Sequence, residues 1–263
     1  MKKADERIYT SKITQVGAQL ADTRTFLTQW DETKTVAENL RQFQSQNIFG
    51  KASRIRVSRI LKVFRERYLS EEVVIASLVT LAKGGISSKI LDPILFFHTA
   101  QSDHLLHDIV TEFLVDMKET GAKDIDSDAI LGIIKHWSDE GKTSKQWADG
   151  TLNRIVVGLL ATLRDFGILQ GAVNKQLAPV YLPVESFAYI AFYLKQNQPS
   201  GDRLIHDPEW RLFFLSPQTV EHFFIEAQQR KLLEYHAAGP IIRISFPAGT
   251  LEEYANVILH AAS

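Results

Sequence analysis

"KTSKQWADGTLNRIVVGLLATLRDFGILQGAVNKQLAPVYLP", residues 142–183, decides how this chain is read. The spacing predicts a short helix after Ser144, a turn near Asp149-Gly150 and a long helix ending at Phe166. Gly167 stops that helix, since glycine tolerates the left-handed backbone that closes a helix. The rest reads as a hairpin with Asn174-Lys175 at its tip. A helix over "DSDAILGIIKHWSDEG" (126–141) precedes it. Helix, short helix, turn, longer helix and hairpin is the order of a winged helix.

In such a unit the longer helix presents Thr151, Asn153 and Arg154 near its start. Lys145 and Gln146 lie just before it with Lys142, and Lys175 tips the wing. Asn, Gln and Arg can read base edges; Lys and Thr contact phosphates. Winged helices also serve as protein-docking modules, and that reading stays open.

Upstream, helical patterns dominate. Helices are expected over Val16–Trp30 and Thr35–Phe43, with Gly50 as breaker and Ser53 as N-cap of the next helix. That next stretch, "KASRIRVSRILKVFRERY" (51–68), holds seven Lys or Arg and one Glu. On a helical projection Val57, Ile60, Leu61, Phe64 and Tyr68 share an arc of about 100°. Lys51, Arg54, Arg59, Lys62 and Arg65 fall on the other side, and Arg56 and Arg67 flank Ile60 at the border. Five of the seven cations are Arg, which pairs bidentately with phosphate. No Glu stands four residues before a cation to neutralise it. A polyanion is the expected partner of that face; an acidic protein surface is the alternative.

Three further helices are expected: one capped by Ser70 and ended by Gly84-Gly85, one over "SSKILDPILFFHTA" (87–100) with Pro93 early in a second segment, and one starting at Ser102. The last packs Leu105, Leu106, Ile109, Val110, Phe113 and Met117. After the winged segment come a helix at Val184–Gln196, a looser stretch, a helix at Gln218–Arg230, two short strands around Ala237–Pro240 and a last helix after Thr250. The helix-plus-hairpin at 218–246 loosely echoes the first. The expected fold is mainly α: an N-terminal helical bundle (1–121), a winged-helix-like segment (122–183), and a small C-terminal α+β part with a short hairpin (184–263).

The 263 residues carry a net charge of −1, distributed unevenly. Residues 1–68 carry +7, residues 69–140 carry −8 and the remainder is neutral. A basic section beside an acidic one allows a polyanion partner, or attraction within the fold. There is no cysteine, which excludes disulfides, thiolate zinc sites and cysteine nucleophiles. "MKKADERIYTSKI" is basic without an apolar run behind it, unlike a signal peptide. Apolar runs stop well short of the ~18–20 residues of a membrane span, so cytoplasm is the expected location.

Catalytic signatures are weak. "GKT" (141–143) lacks the Walker glycine, since His136 stands in its place, and it follows a helix instead of a strand. His104 and His107 share a helix face near Asp103, Asp108 and Glu112, with no third metal ligand evident. Asp116 and Lys118 match a nuclease D-x-K fragment, but helical periodicity runs through them. The paired phenylalanines and Trp137, Trp147 and Trp210 read as core.

Four stretches carry a family resemblance. "YTSKITQVGAQLADTRTFL" (9–27), "ENLRQFQSQNIFGKASRIRVSRILKVFRERY" (38–68), "WADGTLNRIVVGLLATLRDFGIL" (147–169) and "HDPEWRLFFLSPQTVEHFF" (206–224) together resemble BrxA, a small component of bacterial BREX phage-defence systems. The resemblance implies a mostly helical cytoplasmic protein, encoded with a DNA methyltransferase, an ATPase and an alkaline-phosphatase-like protein. It also implies DNA binding, and a helical part similar to bacterial antitermination factors. It supplies no catalytic residue. The basic residues of 51–67 match its basic block and carry over as phosphate contacts.

The sequence therefore leads to a non-enzymatic DNA-binding accessory protein, held to double-stranded DNA mainly through phosphates and with weak sequence selectivity. Other BREX components are expected partners; a cofactor, metal, membrane or small-molecule substrate is not expected. An adaptor within the defence complex and an RNA-binding protein are the alternatives.

Overall fold

The computed structural model describes residues 8–143, 145–197, 200–239 and 241–262. It is mainly helical. In chain order, α1 (Leu20–Thr28), α2 (Val36–Gln46), α3 (Arg54–Tyr68), α4 (Glu72–Lys83) and α5 (Ser88–Ser102) come first. Then α6 (His104–Asp108) runs through a π-helical turn, Ile109–Leu114, into α7 (Val115–Glu119). α8 (Ser127–Asp139), α9 (Asp149–Asp165), β1 (Leu169–Gln170) and β2 (Gln176–Leu177) follow. The last part holds α10 (Val184–Lys195), α11 (Gly201–Ile205), a 3-10 turn (Pro208–Phe213), α12 (Pro217–Gln229), β3 (Glu234–Ala238), β4 (Ile241–Ser245) and α13 (Leu251–Ala262).

Two compact units emerge, each discontinuous in sequence: Met1–Gln19 with Thr99–Val180, and Leu20–His98 with Tyr181–Ser263.

The first unit contains a winged-helix-like arrangement. β1 and β2 pair antiparallel, Leu169 opposite Leu177 and Gln170 opposite Gln176. Asp124 bridges Gln176 antiparallel on β2's other side. The N–H of Ile125 donates to Lys175 O, and that of Leu177 to Lys123 O. The order is thus helix (α6–α7), short strand, α8, α9, strand, wing, strand, with the first strand against the last. The polar stretch after residue 121 lies inside this unit and supplies that strand. Gly171 opens the wing at φ 89°, where an added Cβ would run into the Asn174 carbonyl. Gly158 of α9 sits at a tight packing contact: a Cβ there would lie 3.0 Å from Ile13 O, so a larger residue would push the segment around Lys12–Thr14 outward by a few tenths of an ångström.

Two expectations change here. Lys145–Ala148 is not helical, and α9 starts at Asp149, so Asp149-Gly150 is the first turn of the helix and not a separate turn. Ser144 lies outside the described residues. The helix that fills out the motif is α6–α7. Its π turn inserts one residue into the periodicity. Leu114 and Val115 are buried as a result, while Phe113 and Met117 are half-exposed. Its N-cap is Asp103, whose carboxylate accepts from Leu106 N.

The second unit is built around aromatic contacts. Phe26 of α1 meets Phe43 of α2 at 5.4 Å and Phe64 of α3 at 5.3 Å between ring centroids. These edge-on pairs fasten three short helices that propensity alone leaves marginal. α2 starts at a reciprocal capping box, Thr35 with Glu38, and α3 at Ser53, whose hydroxyl accepts from Arg56 N. Such caps stabilise by about 1 kcal/mol each.

Elsewhere in this unit α4 lies against α1 and α13, and α10 against α12 and α13. α10 is buried along almost its whole length. Its Tyr189 hydroxyl is 2.7 Å from Ser77 Oγ and 3.1 Å from His98 Nε2. β3 and β4 form the second hairpin, Tyr235 opposite Ile244. Pro240, at its expected turn, is outside the described residues.

Two local expectations are corrected in this unit. Glu71, not Ser70, occupies the N-cap of α4. Pro93 sits inside one continuous helix, α5. An interior proline costs about 3 kcal/mol. Ile94, Leu95, Phe96 and Phe97 directly after it are all buried, and at roughly 1.5–3 kcal/mol each they outweigh it. The stretch expected to be loose resolves into α11 and the 3-10 turn, anchored by Trp210, whose indole N–H donates to Leu204 O at 2.7 Å.

Candidate nucleic-acid interface

α3 carries the strongest charge concentration. Val57, Ile60, Leu61, Phe64 and Tyr68 are buried, as the periodicity predicts, and so is Val63. Val63 widens the buried face to about 160° at 100° per residue. That width decides the fate of the two border arginines. Arg67 is buried at 5% exposure, and Arg56 is half-buried. Both are engaged within the protein. The expected set of phosphate contacts therefore loses Arg67 to the interior, and Arg56 stands at its margin.

Lys51 is also committed. Its Nζ lies 2.9 Å from Asp22 Oδ2. Asn47, itself in the left-handed region at φ 48°, clamps the Lys51 backbone: its side chain accepts from Lys51 N and donates to Lys51 O.

Arg54, Arg59, Lys62 and Arg65 are exposed, and among the described residues none makes a side-chain hydrogen bond or ion pair. They line one strip about 140° wide. Two residues absent from the sequence reading share it: Ser58, exposed, and Ile55, 66% exposed. Around the helix Ile55 lies between Lys62 and Arg59.

The winged helix differs in charge. On α9, Asn153 and Arg154 are exposed and Thr151 is half-buried. Arg154 folds back onto its own helix: Nε donates to Gly150 O at 3.0 Å, with Nη2 3.4 Å from Thr151 Oγ1. Arg164 pairs with Asp165 at 3.0 Å. Lys145 is exposed, whereas the Gln146 side-chain amide donates to Asp139 Oδ1. Lys142 Nζ lies 5.1 Å from the Trp137 ring centre. Lys175 curls onto the wing, donating to Ala172 O at 3.1 Å. The most exposed apolar positions of this surface are Val157 (69%) on α9 and Val173 (89%) on the wing. The structure thus brings Asn153 and Arg154 onto one exposed helix face that is nearly neutral.

Of the remaining candidates, His107 and Asp108 are tied into the fold. The Tyr9 hydroxyl donates to Asp108 Oδ2 at 2.6 Å, and His107 Nδ1 is 2.7 Å from Asp108 Oδ1. Asp116 and Lys118 lie on α7. Among the described residues there is no group of three or more His, Cys, Asp or Glu placed to hold a metal, and no helix long and apolar enough to cross a membrane.

Comparison with known proteins gives one family. The model of the BrxA family matches residues 7–193. That range takes in α3 and the whole winged helix but ends before "HDPEWRLFFLSPQTVEHFF". Among curated proteins nothing matches.

Proposed function

This chain belongs to the BrxA family, a BREX component, and from that premise we propose that it is a non-enzymatic, DNA-binding accessory protein of phage defence. The observation that carries the reading is the strip of α3 on which Arg54, Arg59, Lys62 and Arg65 stand exposed without a partner among the described residues. Like charges held on one rigid face repel each other. A phosphate backbone relieves that repulsion and releases its own counterions. Duplex DNA is the expected polyanion, held mainly through phosphates. Lys145, Asn153, Arg154 and Lys175 of the winged helix, with Gln146, form a second, weaker set of contacts.

Four phosphate contacts predict a slope of about −3.6 in log affinity against log salt, or roughly a hundredfold loss between 50 and 200 mM. The test is a gel shift with Arg54→Glu combined with Lys62→Glu, checked for helicity by circular dichroism. Loss of DNA retention with the helical spectrum intact is expected. Unchanged retention overturns the role of α3.

A second reading has an observation of its own. The near-neutral face of α9, with Val157 and Val173 exposed, suits an apolar protein surface better than a phosphate backbone. Under it the winged helix docks another BREX component while α3 holds DNA. Val157→Asp with Val173→Asp then removes co-purification of that component and leaves the gel shift as it was.

A further inference from the structure

We propose that α3 lies in the major groove of B-form DNA and reads a thymine 5-methyl group through Ile55. The inference rests on the DNA-binding reading above and adds sequence selection to it.

The layout of the strip is the argument. At 100° per residue, Arg54 and Arg65 run along one border, and Arg59 lies on the other, about 120–140° away. Ile55, Ser58 and Lys62 fill the middle, and Glu66 lies between Ile55 and Arg59 about three turns further along the helix. A helix seated in the major groove has phosphates on both sides and base edges in front of it. Cations on both borders with an apolar and a hydroxyl side chain between them match that arrangement. Scattered phosphate contact would not distinguish the middle from the borders.

Ile55 is the specific element. A lone exposed isoleucine is ordinary on a protein surface. This one is 66% exposed between unpaired cations, in the first turn of the helix. Recognition helices present their N-terminal residues to bases. The apolar group that DNA offers in the major groove is the thymine methyl. Ser58, one turn on, offers a donor and an acceptor for a neighbouring base edge.

The dimensions and charge agree. The exposed run from Arg54 to Arg65 spans roughly 16 Å, and a helix with side chains is about 10–12 Å across. The B-form major groove is about 12 Å wide. The major groove of A-form RNA is too deep and narrow for this entry. No acidic residue stands in the first turn, where the chain meets the groove. The strip's one carboxylate, Glu66, is half-buried near the C-terminal end and engaged within the protein.

The experiment uses the full chain. A pool of random duplexes is selected for retention, and each thymine of the recovered site is replaced in turn by deoxyuridine, which lacks the methyl group. Affinities of wild type and Ile55→Ala are measured by fluorescence anisotropy. At one thymine the replacement weakens wild type about fourfold. Ile55→Ala weakens binding to the thymine site by a similar factor and is indifferent to the replacement. Duplex retention with no enriched site, or with uracil tolerated at every position, overturns this inference and leaves the phosphate reading standing. Retention of RNA but not duplex DNA, or of neither, overturns both.

Discussion

Lys51 Nζ lies 2.9 Å from Asp22 Oδ2, so the first cation of the basic block ties the approach of α3 back to α1. The partner carboxylate is only 13% exposed, whereas Lys51 is 30% exposed. This ion pair is shielded enough to hold, and its charge is spent inside the protein. The basic block therefore divides into structural cations and free ones.

That division predicts how single substitutions separate. Lys51→Met lowers stability by up to about 1 kcal/mol and leaves the salt slope of DNA binding unchanged. Lys62→Met changes stability by less than ~0.5 kcal/mol and lowers the slope by about 0.9. Thermal melts and anisotropy titrations at several salt concentrations measure both. Equal slopes for the two variants would contradict the division.

Arg67 extends the same logic into the core. It is 5% exposed and engaged within the protein. Arg67→Ala strands its partners and loses the packing of its aliphatic stem. A loss of about 2 kcal/mol or more is expected in urea unfolding, with the salt slope of the folded protein unaltered. Wild-type stability in Arg67→Ala would mean that this side chain is free to meet DNA after all.

The history of α3 shows what a sequence does and does not disclose. Ile60, Leu61 and Phe64 are legible because apolar spacing is a local property. The burial of Arg67 is not, because it depends on how wide a face of α3 the rest of the fold covers, and Val63 is buried along with the expected residues. The winged helix was legible in α8, α9 and the hairpin. Its first helix was expected too, but as part of the N-terminal bundle, and the π turn at Ile109–Leu114 changes which residues that helix buries. Its first strand is a single bridge at Asp124 in a polar segment, with no alternation to mark it.

His98 gives a pH dependence. It is buried, with Nε2 3.1 Å from the Tyr189 hydroxyl and the rings of Phe97, Tyr189 and Tyr193 around it. Burial pushes its pKa down to about 3. The unfolded chain binds a proton at this residue near pH 6.5 and the folded chain does not. Its contribution is thus complete above about pH 6.5 and is lost as pH falls from there towards 3, by about 1.4 kcal/mol per pH unit. His98→Gln keeps a hydrogen-bonding group without the titration. Urea unfolding between pH 6 and 5, above the main carboxylate range, should show a shallower pH slope for the variant. Parallel slopes would mean that His98 is hydrated in the folded protein.

Gly201 and Gly84 test how the second unit holds its C-terminal hairpin. A Cβ on Gly201 would sit 2.6 Å from the carbonyl oxygen of Ile242, on β4. A Cβ on Gly84 would chiefly meet the methyl ends of Leu259 on α13. Both contacts are too close, but their consequences differ. Leu259 can change rotamer, so Gly84→Ala should cost ~1 kcal/mol, at the low end of overpacking. The Ile242 carbonyl belongs to a paired strand, opposite Ala237 on β3. Relieving that clash requires α11 or the hairpin to move, so Gly201→Ala should cost about 3 kcal/mol or more. Chemical denaturation of the two variants measures the order. If Gly84→Ala is the more damaging, α11 does not seat on β4 at Gly201.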